Sequence, residues 1–261
     1  MDIETIGLLL LGVAGGFLNG LIGSGAGVLI VPVMVMLGYS NVDHASSFAV
    51  AVSCWTALLF VIPHYIRTSR DQEWISGIAL FLGGAATAQF GVAFTQNADP
   101  YVVRLMLSFL AFLCLDIMNR YERRRVSTST HMDGAWVDPK RFLLMFFVLA
   151  GITGFAGGMV GSAGGLFLLP LLLYFTGMRI RSAVYSCLFM MAGSSLSALY
   201  GQSVYGDIDF NLGIPLAAGA VVGGFFGSLS LNLFSERSIR NVGKLFLSEV
   251  GLFMLIWSFF V

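Results

Sequence analysis

Charge is what this sequence has least of. Asp, Glu, Lys and Arg make up 11% of its 261 residues, against roughly 25% in an ordinary soluble domain. With 57% hydrophobic residues there is too little polar surface to cover a water-soluble globule. The 14 basic and 14 acidic side chains cancel, which leaves no field of one sign to hold a nucleic acid. Histidine and cysteine are equally scarce, at three each. Cys54, Cys114 and Cys187 are odd in number and lie inside apolar runs, so they read as small hydrophobes and not as disulfides or metal ligands. No metal site and no cofactor is implied. The start, Met1-Asp2-Ile3-Glu4, is acidic where a cleavable signal would be basic, and no small-residue cleavage site follows, so the first segment is expected to stay.

Long apolar runs are present in abundance. A spanning helix needs ~20 residues at 1.5 Å each to cross ~30 Å of hydrocarbon. Six runs meet this cleanly, at 43–64, 74–95, 101–119, 182–203, 210–233 and 239–260. Two more, 5–37 and 142–177, are too long for one span and carry a glycine cluster at their centre, Gly20 to Gly27 and Gly157 to Gly165. Each reads as two half-helices around a break. The chain holds 32 glycines where the usual ~7% would give about 18, an excess that suits closely packed or interrupted membrane helices. One polar linker, 121–141, divides a first repeat, 1–120, from a second, 142–261.

The halves are copies. A shift of 138 positions lays Gly16-Phe17 on Gly154-Phe155, Gly20 on Gly158, Gly23-Ser24 on Gly161-Ser162, Gly27 on Gly165 and Pro32 on Pro170. A shift of 140 then matches Ser46 with Ser186, Gly83-Gly84 with Gly223-Gly224, Leu105 with Leu245 and Arg104 with Lys244. Loops rich in Lys and Arg stay on the cytoplasmic side. These are 65–73, the linker, 178–181 and 235–244, whereas the amino terminus and the loops at 38–43, 96–100 and 204–209 have neither residue. Both sets hold together only if 5–37 begins and ends outside and 142–177 begins and ends inside, so each is a re-entrant hairpin. A hairpin plus three spans is an odd count. The expected fold is therefore an all-α integral membrane protein of two inverted repeats, with both termini periplasmic.

Irregular backbone at membrane depth persists only inside protein or along a polar cavity, so two breaks at matching places mark a site. Ser24 and Ser162 stand where a half-helix restarts. Each hydroxyl is placed to cap the first amides while those of Gly25, Ala26 and Gly27, and of Ala163, Gly164 and Gly165, face the cavity. Such helix starts attract anions. The plainer alternative is that the Gly-x-x-x-Gly spacings only pack helices. The next spans begin with hydroxyls, Ser46, Ser47 and Ser53 in one half, Ser186 and Ser194-Ser195 in the other; these either donate to a ligand or bond back to their own helix. Glu249 is the one carboxyl set deep in a span and is the candidate for proton coupling, with a neutral structural acid as the alternative. Arg104 and Lys244 either attract anions at opposite entrances or snorkel. Enzyme readings fail: Gly23-Ser24-Gly25-Ala26-Gly27 follows no strand, and Ser162 has no nearby histidine to serve as base.

At these residues the sequence resembles the sulfite exporter TauE/SafE family of membrane permeases. The resemblance rests on Gly20-Leu21-Ile22-Gly23-Ser24-Gly25-Ala26-Gly27 followed by Pro32, its second copy ending in Pro170, the Ala45-Ser46-Ser47-Phe48 opening of the next span, and the later glycine pairs. It implies transport of sulfite, a sulfonate or a related small oxyanion across the bacterial inner membrane. The expected function is a secondary carrier, in the export direction, working by alternating access as the two halves rock about a central site. An anion-selective channel and a proton-coupled uptake permease for an oxyanion or carboxylate are the alternatives. The expected partners are a small anion and the lipid bilayer, with a homodimer possible and no nucleic acid.

Overall fold

A computed structural model describes residues 3–36, 42–67, 71–127, 139–161, 164–205, 210–231 and 233–260, and every regular element among them is an α-helix. An apolar chain with no water to satisfy its backbone has this as its simplest solution, because each helix pairs its own N–H and C=O groups. In order they are α1 (Ile3–Ile22), α2 (Gly27–Met36), α3 (Val42–Arg67), α4 (Asp71–Asn97), α5 (Pro100–Ser127), α6 (Pro139–Val160), α7 (Gly165–Thr176), α8 (Ile180–Tyr205), α9 (Phe210–Ser230) and α10 (Glu236–Phe260). Among the described residues six segments are long and apolar enough to cross a membrane: Thr5–Ile22, Ile75–Asn97, Pro100–Arg124, Phe142–Val160, Ile180–Ser203 and Leu212–Ser230.

Four of them coincide with runs read from the sequence, and the other two are the first arms of the long runs 5–37 and 142–177. The spans expected at 43–64 and 239–260 fall on α3 and α10, in which some side chains lie outside the described residues. The first arms of the two long runs, α1 and α6, are full spans of 20 and 22 residues, whereas α2 and α7, with 10 and 12, are half-length. The expected pairs of half-helices are thus unequal, a long arm and a short return. α10 carries Glu236, Arg237, Arg240, Lys244 and Glu249 along an otherwise apolar sequence. The linker also starts later than expected. α5 continues to Ser127, its exposed last turns carrying an Arg120 Nε–Asp116 Oδ2 ion pair at 2.6 Å across one helical turn.

Glycine sets the packing. On α1, a Cβ at Gly12, Gly16 or Gly20 would fall on the backbone of Leu216, Ala220 or Gly224 of α9, and a Cβ at Gly219, Gly223 or Gly227 would fall on Leu9, Val13 or Phe17. Both helices advance together, so α1 and α9 lie parallel with their backbones in contact. The same device joins α4 to α6: Gly83 and Gly91 meet Phe147 and Phe155, while Gly154 and Gly158 meet Gly84 and Ala88. Thr87 Oγ1 adds a 2.7 Å bond to Gly151 O across that seam. α5 and α10 run the other way. Ser108 Oγ donates to Gly251 O at 3.0 Å and Met118 touches Gly243, so rising numbers on one meet falling numbers on the other. The short helices turn back along the long ones, Ile30 reaching Gly15.

Adding a side chain at these seams forces the backbones apart, and overpacking of this kind costs about 1–3 kcal/mol. Gly16→Val and Gly223→Val should each lower the thermal unfolding midpoint in detergent. Gly7→Val, at a position with open space around it, should leave it unchanged.

Candidate functional site

Both long runs break over four residues. α1 ends at Ile22 and α2 starts at Gly27; α6 ends at Val160 and α7 starts at Gly165. The chain reverses through left-handed backbone at Gly23 (φ 64°) and Gly25 (φ 88°) in the first break, and at Gly161 (φ 72°) and Gly164 (φ 75°) in the second. Side chains rarely adopt these angles, which is why glycine stands there. The breaks meet inside the bundle: a Cβ on Gly165 would strike the carbonyl oxygen of Gly23 and the sulfur of Met191.

The first break is satisfied by groups that the sequence reading passed over. Asn19 Oδ1 accepts from the Gly25 amide at 3.0 Å, and Asn19 Nδ2 donates to Thr56 Oγ1 of α3 at 2.5 Å. Ser53 Oγ, also on α3, accepts from the Ala26 amide at 3.0 Å. Asn19, Ser53 and Thr56 are all inaccessible to solvent. A lone amide side chain in an apolar helix, four residues before the break, was the available signal for Asn19, since such a group needs a partner at depth.

This corrects the role expected of Ser24. Its hydroxyl is buried and makes only a 3.4 Å contact to Gly25 O, so it caps nothing. The amides of Gly25 and Ala26 point to Asn19 and Ser53 and not to a cavity. The first intrahelical bond of α2 is Leu29 N to Ala26 O, and that of α7 is Phe167 N to Gly164 O. The N–H groups of Gly27 and of Gly165 come before those bonds, at the starts of their helices. Ser162 and Ala163 lie outside the described residues, and so does the side chain of Ser46 in α3. Ser47 and Ser186 are buried on α3 and α8. Ser194 and Ser195 bond back to Met191 O of their own helix. Pro32 and Pro170 each occupy the sixth residue of their short helices, starting neither.

The two short helices differ in surroundings. Gly165 through Leu173 of α7 are buried without interruption, and α5 covers them, with Cys114 Sγ at 3.6 Å from Phe167 O. α2 is open on one side. There Gly27, Val31 and Pro32 line a shallow groove together with Val160 and with Glu249 and Phe253 of α10. Glu249 is exposed to this groove, beside the start of α2. Neither matched cation is free. Arg104 Nη1 donates to Trp257 O at 3.3 Å and its guanidinium lies 5.8 Å from the Trp257 ring. Lys244 is paired with Glu122 of α5, which counters the charge that was expected to draw anions. Cys54, Cys114 and Cys187 are buried and free.

A bundle of apolar helices with glycine-broken segments meeting at its centre defines a multi-pass membrane protein. The model of the sulfite exporter TauE/SafE family matches residues 8–254, and the chain belongs to that family. It is 23% identical to the probable membrane transporter protein YunE of Bacillus subtilis, over 94% of each chain. It is 25% identical to a probable membrane transporter protein of Xylella fastidiosa, over 93% of this chain and 91% of the other, and 24% identical to the probable membrane transporter protein MJ0441 of Methanocaldococcus jannaschii, over 95% and 94%. No solved structure matches the chain. The protein is accordingly a membrane transporter by family.

Removing the amide that holds the first break leaves the buried Gly25 N–H unpaired, at a cost of about 1–3 kcal/mol, while the Thr56 hydroxyl keeps its 2.9 Å bond to Val52 O. Asn19→Leu should destabilise the protein by that amount in detergent unfolding. Ser24→Ala should cost much less than either Asn19→Leu or Ser53→Ala, because its hydroxyl supports no amide.

Proposed function

We propose that the protein is a secondary carrier that exports sulfite, a sulfonate or a related small organosulfur anion across a bacterial inner membrane by alternating access. Its two halves are inverted repeats. Support for the inversion comes from helix directions: α5 and α10, which occupy the same place in each half, are antiparallel, and α1 on α9 repeats as α6 on α4, both parallel. The substrate's oxygens are held between the two breaks, at the starts of α2 and α7, with the backbone N–H groups of Gly27 and Gly165 and the hydroxyls of Ser47 and Ser186 as donors. Ser46, Ser162, Ala163 and Gly164 are assigned to the same site from the sequence alone.

The observation that carries the mechanism is the unequal treatment of α2 and α7. Matched helices stand over them, yet α5 is closed on α7 while α10 leaves a groove over α2. A carrier caught with one half open and its counterpart shut has this form. The glycine seams argue that the moving bodies are not the sequence halves, since α1 is fastened to α9 and α6 to α4. Motion therefore lies between the α1–α9 unit and the α4–α6 unit.

Energetics favour export. With a negative interior, each unit of negative charge that leaves gains ~2.3 kcal/mol per 100 mV, whereas an importer must offset that amount. Glu249 in the groove favours one second reading, proton-coupled uptake. The separating experiment is counterflow of sulfite and taurine-derived sulfonates in proteoliposomes. Saturable exchange supports the carrier, and unsaturated conductive flux would make the protein a channel. Glu249→Gln should abolish pH-gradient-driven uptake while sparing exchange; full proton-coupled uptake in the mutant would leave Glu249 a structural acid. Single-cysteine labelling in cells should find positions 2 and 207 outside and 124 and 180 inside, and an inside position 2 would overturn the proposed orientation.

A further inference from the structure

The charged residues where α5 ends and α10 begins form a cluster that the central site does not use. Arg240 is about nine-tenths buried, and neither its Nε nor its Nη1 has a hydrogen-bond partner among the described residues. Its nearest carboxylates stand off: Glu122 Oε1 is 3.9 Å from Nε and Glu236 Oε2 is 3.9 Å from Nη1. That is beyond hydrogen-bond length. Lys244, one turn further along α10, holds Glu122 directly, and Arg237 acts on the same carboxylate through space. Three cations thus face two carboxylates, and the buried one retains unused donors.

A guanidinium taken out of water is costly unless its N–H groups are satisfied. Glu122 divides its two oxygens between the cations, Oε2 on Lys244 and Oε1 toward Arg240, but at this distance Oε1 bonds neither Nε nor Nη1. An oxyanion with several acceptor oxygens placed between the two cations can reach these donors while also pairing with Lys244. The cluster also lies on a path to the centre. Three residues beyond Arg240, Gly243 packs against Ile22 at the edge of the first break and against Leu169 of α7. Nine residues beyond, Glu249 lines the groove with Gly27.

We propose that Arg240 and Lys244 form a second, transient anion site at the linker end of the bundle, in which Glu122 is the resident counter-ion that a small oxyanion displaces on its way to or from the central breaks. This rests on the carrier reading for its ligand class. Glu122 keeps the two cations from trapping the substrate, much as a competing ligand would. It lets the anion be bound briefly and then released as the carboxylate returns.

The test is anion affinity and flux in the full-length protein, with sulfite and sulfate as probes. Glu122→Gln should tighten binding of the probe by roughly tenfold, the scale of one charge-assisted hydrogen bond, and should slow exchange. Glu122→Gln combined with Arg240→Gln should lose that gain, and Glu122→Gln combined with Arg240→Lys should keep part of it. Folding is followed by elution and unfolding midpoint without anion. An ion-pair tie between α5 and α10 with no ligand role predicts a lowered midpoint with affinity unchanged or weaker, and that result would overturn the second site. If the wild-type protein exchanges a probe while Glu122→Gln leaves affinity unaltered, only this inference fails. If the wild-type protein neither binds nor exchanges sulfite or sulfate and Glu122→Gln gains nothing, the sulfur-oxyanion reading fails with it.

Discussion

Everything in this bundle depends on how two interruptions of the backbone are satisfied where no water is guaranteed. A helix that stops inside an apolar bundle exposes amides and carbonyls, each unpaired group costing several kcal/mol in hydrocarbon. At the first break side chains satisfy two of the freed amides. Asn19, one turn before the break, takes the Gly25 amide, Ser53 takes the Ala26 amide, and Thr56 links Asn19 to α3. The turn is thus fixed to a neighbouring span and not left to its own residues. What stays available at the start of α2 is the backbone beyond Ala26, and it is this part that reaches the groove with Glu249.

The glycine seams follow from the same constraint. Helices in lipid gain little from hiding apolar side chains from one another, so close backbone approach supplies the attraction. The seams cross the duplication: α1 of the first half is fastened to α9 of the second, and α6 of the second to α4 of the first. Thr87 and Ser197 add bonds from and to α4, onto α6 and from α8 respectively. Separating 1–120 from 142–261 would undo this closest backbone packing.

The sequence made some of this legible and left other parts hidden, for identifiable reasons. The breaks were visible because a glycine cluster weakens a helix, and an apolar run too long for one span must be interrupted somewhere. The glycine excess was readable as close helix packing, which Gly219, Gly223 and Gly227 realise against α1. The inequality of the arms was not readable: periodicity says nothing about depth, and the turn at 23–26 lies past the middle of its run. Ser24 misled because a serine before a helix start usually caps it, and here the side chain of Asn19 reaches the amide first. Asn19 itself has no counterpart in the second half, where Gly157 stands at the matched place, so a reading guided by the repeat looked past it. Lys244 was seen as a free charge because its partner, Glu122, lies on another helix.

Ionisable side chains stand where positions matched in the sequence differ in kind. α5 and α10 hold equivalent places, antiparallel and in contact, yet their matched positions differ in kind. Phe109 is 70% exposed on α5, a side chain suited to lipid, while Glu249 at the matched place on α10 borders the groove over α2. α10 also gathers Arg240 and Lys244 against Glu122, which denies it the uniform apolar surface of a span that lipid could surround. Such a helix is stable in a membrane only while α5 and the groove cover its polar groups. Its position is then tied to the state of those contacts, whereas α7, buried from Gly165 to Leu173, has no comparable freedom. Of the two matched helices α5 and α10, it is α10 that brings ionisable side chains to the groove and to the bundle end.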